Sequence, residues 1–198
     1  MSAVRKNYKK VPMSRVDHAW LRMERPTNLM MITGVMMFES PVDIHKLRKV
    51  IRDRFMAYPR LRQKVVETAT GTFWQEDADF DLEYHVRLSA LPGKGDKPSL
   101  ERFVSQMAST PLDKTKPLWQ FHLVEKYGGG SALIMRIHHC YADGIALVQV
   151  LLSMTDSEAK PSRHESLAKT WLKQDGSAVQ ARMGAIDRYM KMGEGLLE

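Results

Sequence analysis

Cysteine is nearly absent from this sequence of 198 residues, in which Cys140 is the only one. A single cysteine excludes an internal disulfide framework and a cysteine-rich zinc site, and it fits a reducing compartment. Long apolar runs are also missing, because the longest, residues 145–152, contains Gln149 and falls far short of the roughly 18–20 residues needed to span a bilayer. The basic N-terminus has no apolar segment behind it, which is not the pattern of a secretory signal. We therefore expect a cytoplasmic protein.

Acidic residues are scarce in the first third of the chain. Residues 1–64 contain 15 Lys or Arg against 5 Asp or Glu, whereas the remainder contains 15 against 18, so the net charge of +7 is concentrated near the N-terminus. A solvated helix face explains part of this excess, and a phosphorylated substrate or an acidic membrane surface is the functional alternative. Since no aromatic RNA-binding motif, zinc finger or basic recognition helix is present, we expect no nucleic-acid partner.

Apolar residues recur with helical and strand periods over most of the first 156 residues. The pattern predicts the element order αβαβββαββα, and hence an α+β fold in which helices pack on a mixed sheet. Ser14, Asp43 and Asp143 are the expected N-caps of three helices. The predicted helices cover residues 14–23, 43–55, 100–107 and 145–154, and the predicted strands cover residues 30–39, 60–68, 72–76, 82–88, 118–126 and 132–139.

The composition becomes polar after Asp156. Residues 157–165 are typical of a linker, and the segment after them places Val179, Met183, Ile186 and Met190 on one helical stripe. We therefore divide the chain into a lobe of residues 1–156 and a linker with an amphipathic helical segment, residues 157–198. The stripe needs another surface to bury it.

Residues 136–145 bring together side chains that can do chemistry. His138 and His139 end a predicted strand, and Asp143 and Gly144 begin a predicted buried helix. Because successive strand residues point to opposite faces, His139 should lie on a wholly apolar face and His138 on the other. Burial disfavours a charged imidazole and leaves it able to take a proton, as a general base for an alcohol must. Asp143 can cap the helix and stiffen the bend that presents His139, and Gly144 leaves room for a ligand.

Three other interpretations of this segment stay open. A histidine pair at the end of a strand can be purely structural. Two histidines and an aspartate could bind a metal, but His138 and His139 should face opposite ways, so we expect no metal site. Cys140 could be a nucleophile paired with His139, but it should point away from that ring, and we expect it to be a small buried apolar residue.

Residues 138–144 have the sequence His-His-Cys-Tyr-Ala-Asp-Gly. This stretch resembles the HHxxxDG motif of the CoA-dependent acyltransferases, a superfamily that includes chloramphenicol acetyltransferase and peptide-synthetase condensation domains. From about residue 12 to residue 156 the chain resembles one family within it, the bacterial wax ester synthase/acyl-CoA:diacylglycerol acyltransferases. The segments that resemble this family are Pro12-Met13-Ser14 with Asp17 and Trp20, Asn28 before Met30-Met31, Tyr58-Pro59-Arg60-Leu61-Arg62, and Pro117-Leu118-Trp119.

The resemblance implies a role for each of four residues. His139 would be the catalytic base, His138 a supporting residue, Asp143 a structural orienter, and Gly144 a residue that guards access to the acyl-CoA channel. It implies a lobe like that of chloramphenicol acetyltransferase, with the second, C-terminal lobe absent from this chain. No cofactor is implied, because acyl-CoA is the substrate. The Pro-Leu-Trp segment should fix the architecture near the site, and Met30, Met31, Met36 and Met37 should fill the core or line an acyl tunnel.

The implied function is an O-acyltransferase that moves a fatty acyl group from acyl-CoA to a long-chain alcohol or diacylglycerol, as in wax ester and triacylglycerol synthesis. The implied partners are these substrates, the C-terminal lobe, and the acidic inner face of the membrane or a lipid-droplet surface, to which the protein would bind peripherally. Two alternatives stay open. One is a non-catalytic lone lobe that needs a partner lobe, and the other is a condensation-type enzyme that takes acyl groups from a carrier protein.

Overall fold

The computed structural model describes residues 10–141, 150, 151 and 154 of the chain. The helices are α1 (Arg15–Met23), α2 (Ile44–Asp53), α3 (Leu82–His85) and α4 (Lys97–Ala108), and three short 3₁₀ helices cover Phe55–Ala57, Pro59–Arg62 and His139–Tyr141. The strands are β1 (Lys10–Pro12), β2 (Met31–Phe38), β3 (Gln63–Thr68), β4 (Gly71–Glu76), β5 (Val86–Leu88), β6 (Trp119–Tyr127) and β7 (Gly130–His138).

Side-chain caps begin the three long helices. Ser14 accepts a hydrogen bond from the amide of Asp17, and Asp43 accepts one from the amide of Lys46. Asp96 does the same for the amide of Ser99 at the start of α4. The first two caps are the predicted ones, and each satisfies an amide that has no partner within its helix.

The described strands form two sheets. Strands β2, β7, β6 and β5 lie side by side in that order, and only the β5–β6 pair is parallel, so this sheet is mixed. Strands β1, β4 and β3 form a second, antiparallel sheet. The predicted α+β fold with a mixed sheet and packed helices is confirmed, although the sequence pattern did not indicate that β3 and β4 leave the main sheet.

Residues 82–88 differ from the extended strand that the pattern predicted. They form the one-turn helix α3 followed by the three-residue strand β5. The helix starts because the Asp81 carboxylate accepts a hydrogen bond from the amide of Glu83. It also turns the imidazole of His85 into the core, where the ring stacks against Phe80 and Trp119 with centroid distances of 4.9 and 4.4 Å.

Strand β7 lies at the centre of the core, and every one of its residues is buried. Leu133, Met135 and Ile137 join one apolar cluster with residues of α2, β5 and β6, while Ala132 and Ile134 join another with residues of α4. The alternation expected for a strand is therefore present. The two clusters fix β7 from both faces, and its C-terminal end carries the histidine pair.

Two histidines of the core have low pKa values because they are buried. Desolvation lowers the pKa of His85 to about 4, against the opposing effect of its hydrogen bond to the carbonyl of Trp119. Desolvation and the charge of Arg136 lower the pKa of His122 to about 4. Both rings are therefore neutral at neutral pH.

Because the pKa values of His85 and His122 are lowered in the folded chain, we expect acid to destabilise the fold. In the unfolded chain they take up protons near pH 6.5, whereas in the folded chain they do so only near pH 4, so their contribution is complete above pH 6.5 and is lost between pH 6.5 and 4. The loss is about 3 kcal/mol for each ring. Urea unfolding followed by circular dichroism at several pH values measures it, and His122→Asn should flatten the decline. Parallel curves for the variant and the wild type would contradict this account.

Candidate active site

The histidine pair lies where β7 ends and a single 3₁₀ turn begins. The amide of His139 donates a 2.8 Å hydrogen bond to the carbonyl of Met30, which extends the β2–β7 pairing by one bond beyond His138. The 3₁₀ helix His139–Tyr141 then takes the chain away from the sheet. Strand β7 thus ends one residue earlier than predicted, and the orientation of the His139 ring is set by a turn instead of by strand alternation.

The two ring nitrogens of His138 have different neighbours. Its Nδ1 accepts a 3.1 Å hydrogen bond from the amide of Cys140, and its Nε2 lies 3.0 Å from Oε2 of Glu24. Since a neutral imidazole that accepts at Nδ1 has its proton on Nε2, that proton lies beside the Glu24 carboxylate in a close polar contact that is not aligned as a hydrogen bond. Burial lowers the pKa of His138, and the charge of Glu24 opposes that effect. The ring is 1% exposed.

The ring of His139 has a different environment. It stacks on the indole of Trp20, with a centroid distance of 4.6 Å and an interplanar angle of 17°. It is only partly buried, and its Nδ1 has no hydrogen-bond partner among the described residues. The stack fixes the plane of the ring without a hydrogen bond to either nitrogen from the described residues.

Leu118 connects β6 to both sides of the histidine turn. Its carbonyl accepts a 3.0 Å hydrogen bond from the amide of His138, and its amide donates a 3.0 Å bond to the hydroxyl of Tyr141. The Tyr141 hydroxyl in turn donates to the carbonyl of Gln63. Next along the chain, Trp119 is fully buried and donates from Nε1 to the carbonyl of Leu61. Residues 117–119 thus hold the turn in place, which agrees with the expected architectural role.

A partly buried group of charged and aromatic side chains lies close to the turn. The guanidinium of Arg60 stacks over the indole of Trp74 at 4.4 Å, and the Tyr141 ring meets the same indole edge-on. Burial raises the pKa of Asp17, and the Ser14 side chain and the charge of Arg60 oppose that effect. These contacts connect α1 and β4 to the residues that hold the histidine turn.

Cys140 is buried among apolar side chains beside the histidines. It is 1% exposed and packs in a cluster with Leu21, Trp74 and Leu118. Burial, together with the nearby carboxylates of Asp17 and Glu24, raises the pKa of its thiol far above the ordinary value. A thiol that does not ionise is a poor nucleophile, so the geometry supports the apolar role expected from the sequence.

For the acyltransferase reaction that the resemblance implies, replacing Cys140 with alanine should leave the rate within about twofold of the wild-type rate, because a thiol that stays protonated supplies no nucleophile. Incubation with radiolabelled acyl-CoA, followed by denaturation and mass spectrometry, checks for an acyl group on the protein. An acyl adduct on Cys140 would show a covalent intermediate and contradict this prediction.

The sequence matches a family of known proteins. Residues 13–197 match the family model of the wax ester synthase/diacylglycerol acyltransferase catalytic domain. The chain belongs to this family. A Mycobacterium tuberculosis protein named as a candidate diacylglycerol O-acyltransferase is 36% identical over 159 residues, which are 75% of this chain and 35% of that protein.

Solved structures agree with the family assignment. The wax ester synthase/diacylglycerol acyltransferase of Marinobacter aquaeolei VT8 aligns with a TM-score of 0.59 and 27% identity, over 70% of this chain and 37% of that one. The starter condensation domain of a rhizomide synthetase aligns with a TM-score of 0.62 over 81% of this chain and 40% of that one. Its 12% identity shows a shared fold alone. The chain spans 30–58% of the length of the curated relatives it matches.

The four residues given roles by the resemblance fall into two groups. The structure describes His138 and His139, and it brings Glu24 and Trp20 of α1 against them. Asp143 and Gly144 lie outside the described residues, as does most of the predicted helix at 145–154 and all of residues 157–198. Their roles, and the division of the chain at residue 156, stay predictions.

The four methionines proposed for the core or a tunnel have different surroundings. Met36 packs against the central apolar cluster, whereas Met37 is 70% exposed. Met30 contributes its carbonyl to the amide of His139, and Met31 pairs with His138 across the sheet. Met30 and Met31 are thus next to the histidine turn, and Met37 is on a separate, open part of β2.

Sequence reasoning missed the partner of His138. Glu24 is four residues after Trp20, so the two lie on one side of α1, and a carboxylate at this spacing was the available signal. Within the described residues, no group of three His, Cys, Asp or Glu side chains has an arrangement that could hold a metal ion. No helix in the described part of the chain has the length and apolarity to cross a bilayer.

Proposed function

We propose that this chain supplies the general base of an O-acyltransferase that moves a fatty acyl group from acyl-CoA to a long-chain alcohol or diacylglycerol. The observation that carries the proposal is the contrast between the two histidines. His138 is buried, its Nδ1 accepts a hydrogen bond and its Nε2 lies 3.0 Å from the Glu24 carboxylate, whereas the ring of His139 is stacked and partly exposed, and its Nδ1 has no hydrogen-bond partner among the described residues. A base needs a positioned nitrogen with a free lone pair, and we assign that role to His139.

The proposed reaction is a direct transfer. His139 takes the proton of the acceptor hydroxyl while the hydroxyl oxygen attacks the thioester carbonyl of acyl-CoA. The tetrahedral intermediate then collapses, the carbon–sulfur bond breaks, and the CoA thiolate takes the proton back from His139. The products are an ester and CoA, and no acyl group is bound to the protein. The buried, un-ionised Cys140 supports a mechanism without a covalent intermediate.

The remaining roles are proposed from family membership. Asp143 orients the turn after the histidine pair, and Gly144 keeps the acyl-CoA channel open. No cofactor takes part in this reaction.

We propose a peripheral association with an acidic membrane face or a lipid droplet on the cytoplasmic side. The first 64 residues contain the excess of positive charge, which suits CoA phosphates or anionic lipids. At the end of α1, Arg22 and Arg25 are exposed and flank Met23, which is 46% exposed. An apolar side chain between two cations is suited to an interface where lipid acceptors reside.

We further propose that transfer needs a second lobe. The chain spans 35% of its Mycobacterium tuberculosis relative and 37% of the Marinobacter enzyme. The His139 ring is partly open, and Val35 and Met37 on the edge strand β2 are exposed apolar side chains. A further lobe of the enzyme would close the site against water.

The test is an assay of esterification with radiolabelled palmitoyl-CoA and either hexadecanol or dioleoylglycerol. The chain is assayed alone and mixed with a separately produced C-terminal lobe of a relative, and lipids are resolved by thin-layer chromatography. We expect wax ester or triacylglycerol only when the second lobe is present. Ester formation by the chain alone would show that one lobe suffices, and transfer from an acyl carrier protein but not from acyl-CoA would favour the condensation-type alternative.

A further inference from the structure

We propose that Glu24 is a positioning residue of this site, which fixes the histidine turn through His138. The inference rests on the proposed function of His139 as the base. It concerns a residue at the end of α1 that lies far from the histidines in sequence and for which the motif gives no role.

The Glu24 carboxylate is itself held at both oxygens. Its Oε2 lies 3.0 Å from Nε2 of His138, and its Oε1 lies 3.2 Å from Nζ of Lys114. The Glu24 side chain is 11% exposed, and the Lys114 side chain is 65% exposed. Lys114 therefore orients the carboxylate from the solvent side, and the other oxygen points at the buried imidazole.

The contact between Glu24 and His138 also affects the backbone of the turn, because His138 binds the amide of Cys140. The Glu24 carboxylate, 3.0 Å from Nε2, favours the tautomer with the proton on that nitrogen, so Nδ1 of His138 keeps its lone pair and accepts from the amide of Cys140. That amide belongs to the residue directly after His139. The series Lys114, Glu24, His138 and Cys140 thus fixes the turn that presents the His139 ring.

Helix α1 and the residue that caps its C-terminal end contact the two histidines. Trp20 lies in α1, and Glu24 is the residue directly after the helix. Trp20 stacks on His139, and Glu24 binds His138. Glu24 has both oxygens engaged within the protein, so it acts by orienting other groups and takes no proton from the acceptor alcohol.

Removing Glu24 takes away the carboxylate that lies 3.0 Å from the buried Nε2 of His138. A buried unpaired donor is costly enough to turn the ring over or shift the turn. We expect Glu24→Ala to lower kcat by about 5- to 100-fold with the KM for acyl-CoA within about twofold, because the substrate site is intact and the base is misplaced. Glu24→Gln keeps an oxygen acceptor and should recover most of the lost rate.

The experiment combines this assay with histidine nuclear magnetic resonance of the chain. With ¹⁵N-labelled histidine, the wild type and Glu24→Gln should show His138 protonated at Nε2 alone. Glu24→Ala should show a mixture of tautomers, and the His139 amide should exchange with solvent at least about tenfold faster, since local opening governs such exchange. The matched control is Glu83→Ala, which removes an exposed carboxylate paired with Arg48 and should change none of these quantities.

The outcomes separate this inference from the proposed function. A wild-type tautomer and a wild-type kcat in Glu24→Ala would overturn the inference, and so would a lost kcat with an unchanged tautomer and unchanged amide exchange. If His139→Ala keeps full activity, the proposed base is wrong, while the spectroscopic result on Glu24 still reports whether it fixes the turn.

Discussion

Replacing His139 with alanine is expected to reduce acyl transfer by about 10²- to 10⁴-fold, the usual share of general base catalysis, while the chain stays folded. The ring makes no hydrogen bond to another described residue, and its main contact is the stack on Trp20, so its loss removes the base and little packing. His138→Ala should reduce transfer less, because His138 acts on the position of the turn.

The two variants also differ in their expected stability. His138→Ala removes a fully buried ring that connects Glu24 to the amide of Cys140, so it should melt at a lower temperature than His139→Ala. Thermal unfolding by circular dichroism, measured with the transfer assay, gives both quantities. A larger loss of transfer in His138→Ala, with a wild-type melting temperature, would reverse the two roles.

Replacing Trp119 with alanine is expected to lower the free energy of unfolding by about 3–5 kcal/mol, as for other buried aromatic side chains. The Trp119 ring is fully buried, with centroid distances of 4.9 Å to Phe55, 5.3 Å to Phe121 and 4.4 Å to His85. Its loss would leave a cavity between α3, β6 and the 3₁₀ helix Phe55–Ala57. Urea unfolding followed by far-ultraviolet circular dichroism measures the change.

Two further variants complete this test. One separates the hydrogen bond of Trp119 from its packing, and the other is a surface control. Trp119→Phe keeps an aromatic ring but leaves the carbonyl of Leu61 without its 2.8 Å hydrogen bond, so it should cost about 1–3 kcal/mol. Met37→Ala is the surface control, because that side chain is 70% exposed and should change stability by less than about 0.5 kcal/mol. Equal losses for Trp119→Ala and Met37→Ala would contradict the assigned place of Trp119 in the core.

The sequence predicted the elements whose signals are local. Ser14 and Asp43 marked the starts of α1 and α2 correctly, because a cap acts on an amide three residues away. The alternation along β7 was also correct, since the two faces of a buried central strand pack against different helices. The fold class and the family followed from such patterns and from motifs close together in the chain.

Features that depend on distant residues were not predictable. The one-turn helix α3 forms where His85 enters the core against Phe80 and Trp119, and no local period indicates that packing. The end of β7 depends on bonds from the His138 and His139 amides to Leu118 and Met30, which come from two other segments. Gly130 lies outside the predicted strands, but a Cβ there would clash with the carbonyl oxygen of Phe38. That close approach of two strands is visible only in the folded chain.

In the candidate site, too, the sequence predicted local features but not the contacts between distant segments. The motif located His138 and His139, but the strand argument did not apply to His139, which lies in the turn after β7, and it could not assign a partner to either ring. Their partners, Glu24 and Trp20, are more than 100 residues earlier in the chain. The distinction between the two imidazoles therefore required the structure.

Chemical rescue by imidazole tests the central claim most directly. Transfer from acyl-CoA by His139→Ala and by His138→Ala, each with the second lobe, is measured with and without added imidazole at several pH values. We predict that imidazole restores part of the activity of His139→Ala, that the restored rate rises with the concentration of unprotonated imidazole, and that His138→Ala does not respond. Rescue of His138→Ala instead, with no response from His139→Ala, would contradict the assignment of His139 as the base.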